Sequence, residues 1–141
     1  MLQHLFGDSG FGTQINATFV SGGDVEIDRY DTSRQFILPG LGDSSNFSLF
    51  YEDTKITARI ALNTRGETIA GFGNYDQPLY VEERNQWDLS MAYNINEDAV
   101  VFFEVQNLND EPTRLYARYE EMLFLSQDHG PIHRLGFRYK F

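Results

Sequence analysis

Few residues in this 141-residue chain have the types and spacing that bond-making chemistry needs. Ser9, between Asp8 and Gly10, would act as a nucleophile only with a base and an orienting acid around it. His4 and Asp8 are the nearby candidates, and the segment reads as a polar turn ahead of the first strand. His129 and His133 are four apart, but Gly130 and Pro131 break any helix that would align two imidazoles on a metal. Both read as loop-proximal histidines. Asp24, Glu26 and Asp28 alternate along an extended segment, which brings three carboxylates to one face. Hard oxygen ligands suit Ca²⁺, but no glycine-turned ligand loop follows, so the first reading is a solvated acidic rim and the second a weak calcium site. No other metal set and no cofactor is implied. Hydrolysis by loop carboxylates would need a pair facing each other across a site, and none stands out. The remaining chemistry is binding. Residues 66–84 offer Phe72, Asn74, Tyr75, Asp76, Gln77 and Tyr80, and residues 110–130 offer Arg114, Tyr116, Arg118 and Tyr119. Rings beside amide, carboxylate and guanidinium groups are what a sugar or other polar ligand needs. Such rings also pack on one another within compact loops, so both readings stand.

Composition narrows the field. Acids outnumber Lys and Arg by 21 to 11, for a formal charge of −10, which argues against a nucleic-acid partner. With no cysteine there is neither a disulfide framework nor a thiolate metal site. No apolar run reaches the roughly 18 residues a membrane helix needs. The N-terminus carries no basic-then-apolar leader pattern. Aromatics make up 15%, with 12 Phe and 8 Tyr, a β-favouring bias.

The elements that must position these residues alternate with a period of two almost throughout. Strands are expected at about 11–20, 45–52, 56–65, 86–94, 99–108 and 132–141. One side collects Phe11, Ile15, Phe47, Leu49, Ile60, Leu62, Trp87, Leu89, Phe103, Val105, Leu135 and Phe137, with no Asp, Glu, Lys or Arg at any position of that set. Its strongly polar members are Asn107 and His133, both near the same strand end. The other side carries Glu52, Arg59, Arg65, Asp88, Glu104, Arg134, Arg138 and Lys140, and Arg59, Arg134 and Arg138 are expected to form a charged network with Asp88 and Glu104. Connections alternate between long (21–45, 66–85, 109–131) and short (53–55, 95–99), and most acids lie in the long ones. Within 109–131, residues 113–119 and 122–127 are expected to extend the last two strands, with Glu120 and Glu121 at the tip. Long loops at one end and short turns at the other suit an outer-membrane barrel better than a soluble sheet. Aromatics sit at the apolar-side strand ends, with Phe11, Tyr51, Tyr93, Tyr139 and Phe141 at one end and Trp87 and Phe19 at the other, as interfacial girdles do.

The terminal Arg134-Leu-Gly-Phe-Arg-Tyr-Lys-Phe141 resembles the sorting signal of outer-membrane barrels, with Arg134, Gly136, Tyr139 and Phe141 at its polar, glycine, aromatic and final hydrophobic positions. The resemblance implies that the barrel-assembly machinery reads this strand by β-augmentation. Upstream, Phe103-Glu-Val-Gln-Asn-Leu-Asn-Asp110 resembles the aromatic-x-x-x-Asn-Leu-x-Asp segment on the penultimate strand of TonB-dependent receptors. Asn46-Phe-Ser-Leu-Phe-Tyr-Glu52 and Thr57-Ala-Arg-Ile-Ala61 resemble strands two pairs earlier, so the likeness runs from Phe11 to Phe141. It implies an all-β, antiparallel up-and-down meander of about six long strands, part of a 22-stranded transmembrane β-barrel. The location implied is the Gram-negative outer membrane, with the C-terminus toward the periplasm. The function implied is active uptake of a carbohydrate or an iron chelate, not catalysis. Partners would be outer-membrane lipid, the remainder of the barrel, a plug domain and the TonB complex. The plug and the other strands are not in this sequence, so the chain reads as a fragment that does not transport alone. The competing reading is a soluble lipocalin-like carrier, which would need about eight strands closed with their apolar sides inward.

Overall fold

The structure, a computed structural model, describes residues 1–20, 27–28, 30–33, 35–36 and 38–141. The chain is all-β and antiparallel. In order come β1 (Leu2–Leu5), β2 (Phe11–Thr18), β3 (Ser44–Glu52), β4 (Ile56–Arg65), β5 (Thr68–Phe72), β6 (Pro78–Val81), β7 (Arg84–Asn94), β8 (Ala99–Gln106), β9 (Thr113–Ala117), β10 (Leu123–Gln127) and β11 (Ile132–Tyr139). A 3-10 turn, Asn74–Asp76, caps the β5–β6 hairpin. Six strands occupy the segments where the alternation predicts them. β1 is an addition, hairpinned onto β2 through the turn that contains Ser9.

Seven strands form one sheet in the order β1-β2-β3-β4-β7-β8-β11, and neither edge is closed. The other four form a second sheet, β10-β9-β6-β5. That order repeats β11-β8-β7-β4, the strands from which they grow. The long connection 66–85 is therefore not a loop, as alternating loop lengths suggest, but a pair of strand extensions broken from the lower sheet by short kinks, while in 109–131 β9 and β10 lie where extensions of the last two strands are expected. Both outer pairings of the upper sheet carry a register shift, at Ile69/Gly71 and at Leu123/Leu125, which explains why their alternation is hard to read. One edge of the upper sheet is covered by the chain itself, where Gly40 N–H donates to the Ile69 carbonyl at 2.9 Å.

The lower sheet is a single layer. Every substantial contact between described strands joins hydrogen-bonded neighbours, and none packs one sheet face upon another. The apolar side consequently stays open. Phe11, Ile15, Leu49, Met91, Leu135, Phe137 and Tyr139 are all exposed. Thr13, the hydroxyl-bearing member of that side, turns its Oγ1–H onto the Ser48 carbonyl at 3.1 Å. On the polar side, Ser48 and Ala61 are buried beneath their neighbours.

Two glycines on the polar side make room for rings. Gly12 lies opposite Phe50, and Gly136 opposite Phe102. A Cβ at either glycine would collide with the facing ring, so each ring lies flat across a glycine backbone, the cross-strand aromatic cover that repairs a weak strand position. The short-turn end is tied from turn to turn: Glu52 N–H to the Gly10 carbonyl, Asn94 N–H to that of Lys55, and Lys140 N–H to that of Asp98, at 2.8–2.9 Å.

Gly136→Ala is expected to cost about 1–3 kcal/mol by overpacking. The loss should shrink in a Phe102→Leu background, as measured by urea unfolding of the single and double variants.

Candidate functional site

Asn107 organises the upper end of β8. Alternation carries it along the apolar side of the 99–108 segment, but the structure ends β8 at Gln106 and turns Asn107 left-handed (φ 59°) and buried. Asparagine tolerates that region because its short amide bonds locally. Here Oδ1 accepts from Glu111 N–H at 2.9 Å, Nδ2 donates to the Glu111 carbonyl at 3.1 Å, and the backbone carbonyl accepts from Asp110 N–H at 3.0 Å. Asn109 anchors the same turn to β7, with Trp87 N–H donating to its Oδ1 at 2.9 Å and its Nδ2 donating to the Asn85 carbonyl at 2.8 Å. The Asn-Leu-x-Asp segment is thus a folded knot that ends one sheet and starts the next.

Asp88 is the acceptor at the centre of the polar side. It takes Asn63 Nδ2–H at 2.7 Å, Gln86 Nε2–H at 2.6 Å and Asn107 N–H at 3.0 Å. Asn46 Nδ2 extends the chain by donating to Asn63 Oδ1 at 2.6 Å. The expected arginine network is therefore corrected. Amides, short enough to reach one strand over, satisfy Asp88. The charged pairing that forms is Arg134 with Glu104 at 3.7 Å, directly opposite in register, with Arg134 also donating to Gln106 Oε1 at 3.2 Å. Arg59 and Arg138 have no ion-pair partner among the described residues. A cavity of about 310 Å³ lies over this side, lined by Asn46, Arg59, Asn63, Asp88, Ser90 and Glu104 among others.

The terminal strand gives its four motif residues separate physical roles. Arg134 holds Glu104, and Gly136 admits the Phe102 ring. Tyr139 stacks on Phe137 (6.5 Å between centroids) and meets Phe141 edge-on (5.1 Å), which leaves an aromatic ladder on the open apolar side. β11 is also an edge strand.

The candidate binding residues divide into two groups on the upper sheet. Tyr80 and Tyr116 are buried and stack on each other at 5.1 Å, and Tyr116 Oη–H donates to Glu67. Arg114 pairs with Glu82 at 3.4 Å. A cavity of about 530 Å³ beside them is lined by Glu67, Glu82, Glu83, Arg114, Tyr116, Glu120 and Glu121. Tyr75, Asp76 and Arg118 come together instead at the hairpin tips, around a cavity of about 590 Å³ that Thr32, Gln77 and Met122 complete. Tyr75, Asp76 and Arg118 all hold φ between 53° and 61°, a left-handed conformation that costs about 1–3 kcal/mol each in non-glycine residues. Phe72 and Asn74 line neither cavity.

The other candidates do not assemble. Ser9 Oγ–H donates to the Phe6 carbonyl at 2.7 Å, and its oxygen accepts from Phe11 N–H at 3.2 Å, a self-contained turn. His4 packs edge-on against Phe6 instead of approaching it. His133 stacks on Phe103, and no group able to hold a metal occurs among the described residues. Asp24 and Glu26 lie outside the described residues, while Asp28 Oδ1 accepts from Tyr30 N–H. Two features had no sequence signal of their own. Ser48 has a buried hydroxyl without a hydrogen-bond partner among the described residues, and the Asp88 hub draws on β4, β7 and the turn after β8.

No family model, no curated protein and no solved structure matches the chain.

Two exposed carboxylates are shifted in opposite directions. Asp53 lies below its ordinary value because Ile56 N–H, Tyr51 Oη–H and Lys55 N–H all bond its carboxylate. Asp110 lies above its ordinary value because the Asp128 carboxylate faces it. The turn stabilisation from Asp53 is full above the usual carboxylate range and is lost as pH falls through its lowered value. The Asp110 repulsion is full above its raised value and is relieved on acidification. Carboxyl NMR titration should show Asp53 moving back up in Tyr51→Phe and Asp110 moving back down in Asp128→Asn. Asn107→Ala is expected to cost about 2–4 kcal/mol, from lost bonds and left-handed strain, and Asn107→Gly clearly less, by the same urea measurement.

Proposed function

We propose that this chain is the C-terminal wall of a TonB-dependent receptor in a Gram-negative outer membrane, contributing the last strands of a 22-stranded barrel of about the size that holds a plug. The supporting observation is the open apolar side of a single-layer sheet. In water, a continuous exposed apolar face of this extent is an anomaly; against lipid it is the expected surface. A charge on a lipid-facing strand position costs roughly 2–4 kcal/mol at mid-membrane. The uncharged side meets that requirement, while Arg59, Asp88, Glu104, Arg134 and Arg138 all lie on the other, which would line the barrel interior. A lipocalin-like carrier draws no support from this arrangement, since its apolar sides must be enclosed.

In this reading the tied short turns face the periplasm, the upper sheet stands outside the cell, and the two open edges pair with the remainder of the barrel. The plug and the TonB contact would be supplied by polypeptide outside these residues. The Arg134, Gly136, Tyr139 and Phe141 pattern would be read by the assembly machinery, which adds to the free edge of β11. Uptake of a carbohydrate or an iron chelate is the function of the whole assembly.

Expressed alone, the chain is expected to require detergent and to partition with membranes. A monomeric, detergent-free chain with cooperative thermal unfolding would overturn the reading. Phe141→Ala in the membrane-inserted protein should lower the outer-membrane level several-fold, measured by fractionation and immunoblotting.

A further inference from the structure

We infer that the cavity between the two hairpin tips binds an uncharged oligosaccharide, with the Tyr75 ring as its stacking platform; this rests on the proposed orientation, which exposes those tips to the outside. Tyr75 is 89% exposed, and the hairpin holds its backbone in a left-handed conformation that sets the direction in which its side chain leaves the turn. Tyr30 is 80% exposed and meets Tyr119 edge-on at 6.4 Å, so a pair of further rings stands beside the same tips. A ring face left open to water suits the C–H face of a sugar, which is apolar on one side and hydroxylated at its rim.

The polar lining matches that rim. Asp76 accepts, and Gln77 and Thr32 both donate and accept, so adjacent hydroxyls can find partners of either kind. The volume, about 590 Å³, falls within the usual range for small-ligand sites. Charge separates this ligand from an anionic chelate. The lining carries one positive and one negative residue, whereas the neighbouring cavity presents Glu67, Glu82, Glu83, Glu120 and Glu121 against Arg114. The field at the tips is therefore negative, which repels anions and leaves neutral ligands unaffected.

The test uses the full chain in micelles of an uncharged polyoxyethylene detergent, because alkyl maltosides carry the group in question. Fluorescently labelled chain is applied to an array of neutral, cationic and anionic glycans and of short peptides, with ferric citrate titrated separately. Neutral glycans should be retained, with affinity falling about tenfold or more in Tyr75→Ala, a loss of roughly 1.4 kcal/mol or more. Gln77→Ala should weaken them less. A chain that shows β-structure by circular dichroism but retains no neutral glycan overturns this inference alone. So does preference for ferric citrate or peptides, or retention unchanged by Tyr75→Ala. A chain that stays monomeric without detergent and unfolds cooperatively on heating overturns the wall reading and this inference with it.

Discussion

The surface chemistry of this protein is set by a face that no described part of the chain covers. The strands of the lower sheet put uncharged side chains on one side over their whole length, and no helix or second sheet packs there among the described residues. Among the described residues the buried apolar side chains are few: Ala61, Ala99 and Val105 in the lower sheet, and Pro78, Tyr80, Tyr116 and Ala117 in the upper. A water-soluble domain of this length draws its stability from a core that excludes water. Here the equivalent gain must come from whatever meets the open face. The backbone ladder can be complete, and the sheet still depends on its surroundings.

The other face solves a different problem, because it must hold polar groups close together without water on every side. Asp88 shows the solution. One carboxylate collects donors from β4, β7 and the turn after β8, and amides supply them instead of cations. Amide donors are short and rigid, so they fix three strands relative to each other, where an arginine would span the same gap with a long, mobile stem. Arg134 and Glu104 pair only because the register sets them directly opposite. The Asn107 knot then converts this order into a change of direction at which the upper sheet begins.

Period-two alternation exposed the lower strands, their faces and the special character of the last residues. Each of those signals is local. What escaped was non-local or brief. β1 is four residues long, too short to alternate convincingly. β5 carries a register shift that breaks its pattern, so its segment reads as a loop. Asn107 continued the strand in sequence but leaves it in space, because a bond to Asp88, nineteen residues earlier, outweighs the local preference. The expected arginine network counted charges correctly but ignored reach. In sequence the candidate binding residues divide by segment, 66–84 and 110–130, whereas the fold divides them by depth, burying Tyr80 and Tyr116 while presenting Tyr75.

The tied turns give the sheet a mechanical polarity. At the short-turn end, hydrogen bonds pass from the Gly10 turn to β3, from the β3–β4 turn to β7, and from the β7–β8 turn to the residue after β11. That rim behaves as a hem: a sideways pull is shared across the whole width, not concentrated on one pair of strands. The opposite end has kinks where each strand crosses into the upper sheet. A tear would start there and run toward the hem, so the sheet can breathe at its upper margin while its lower margin keeps the strands in order.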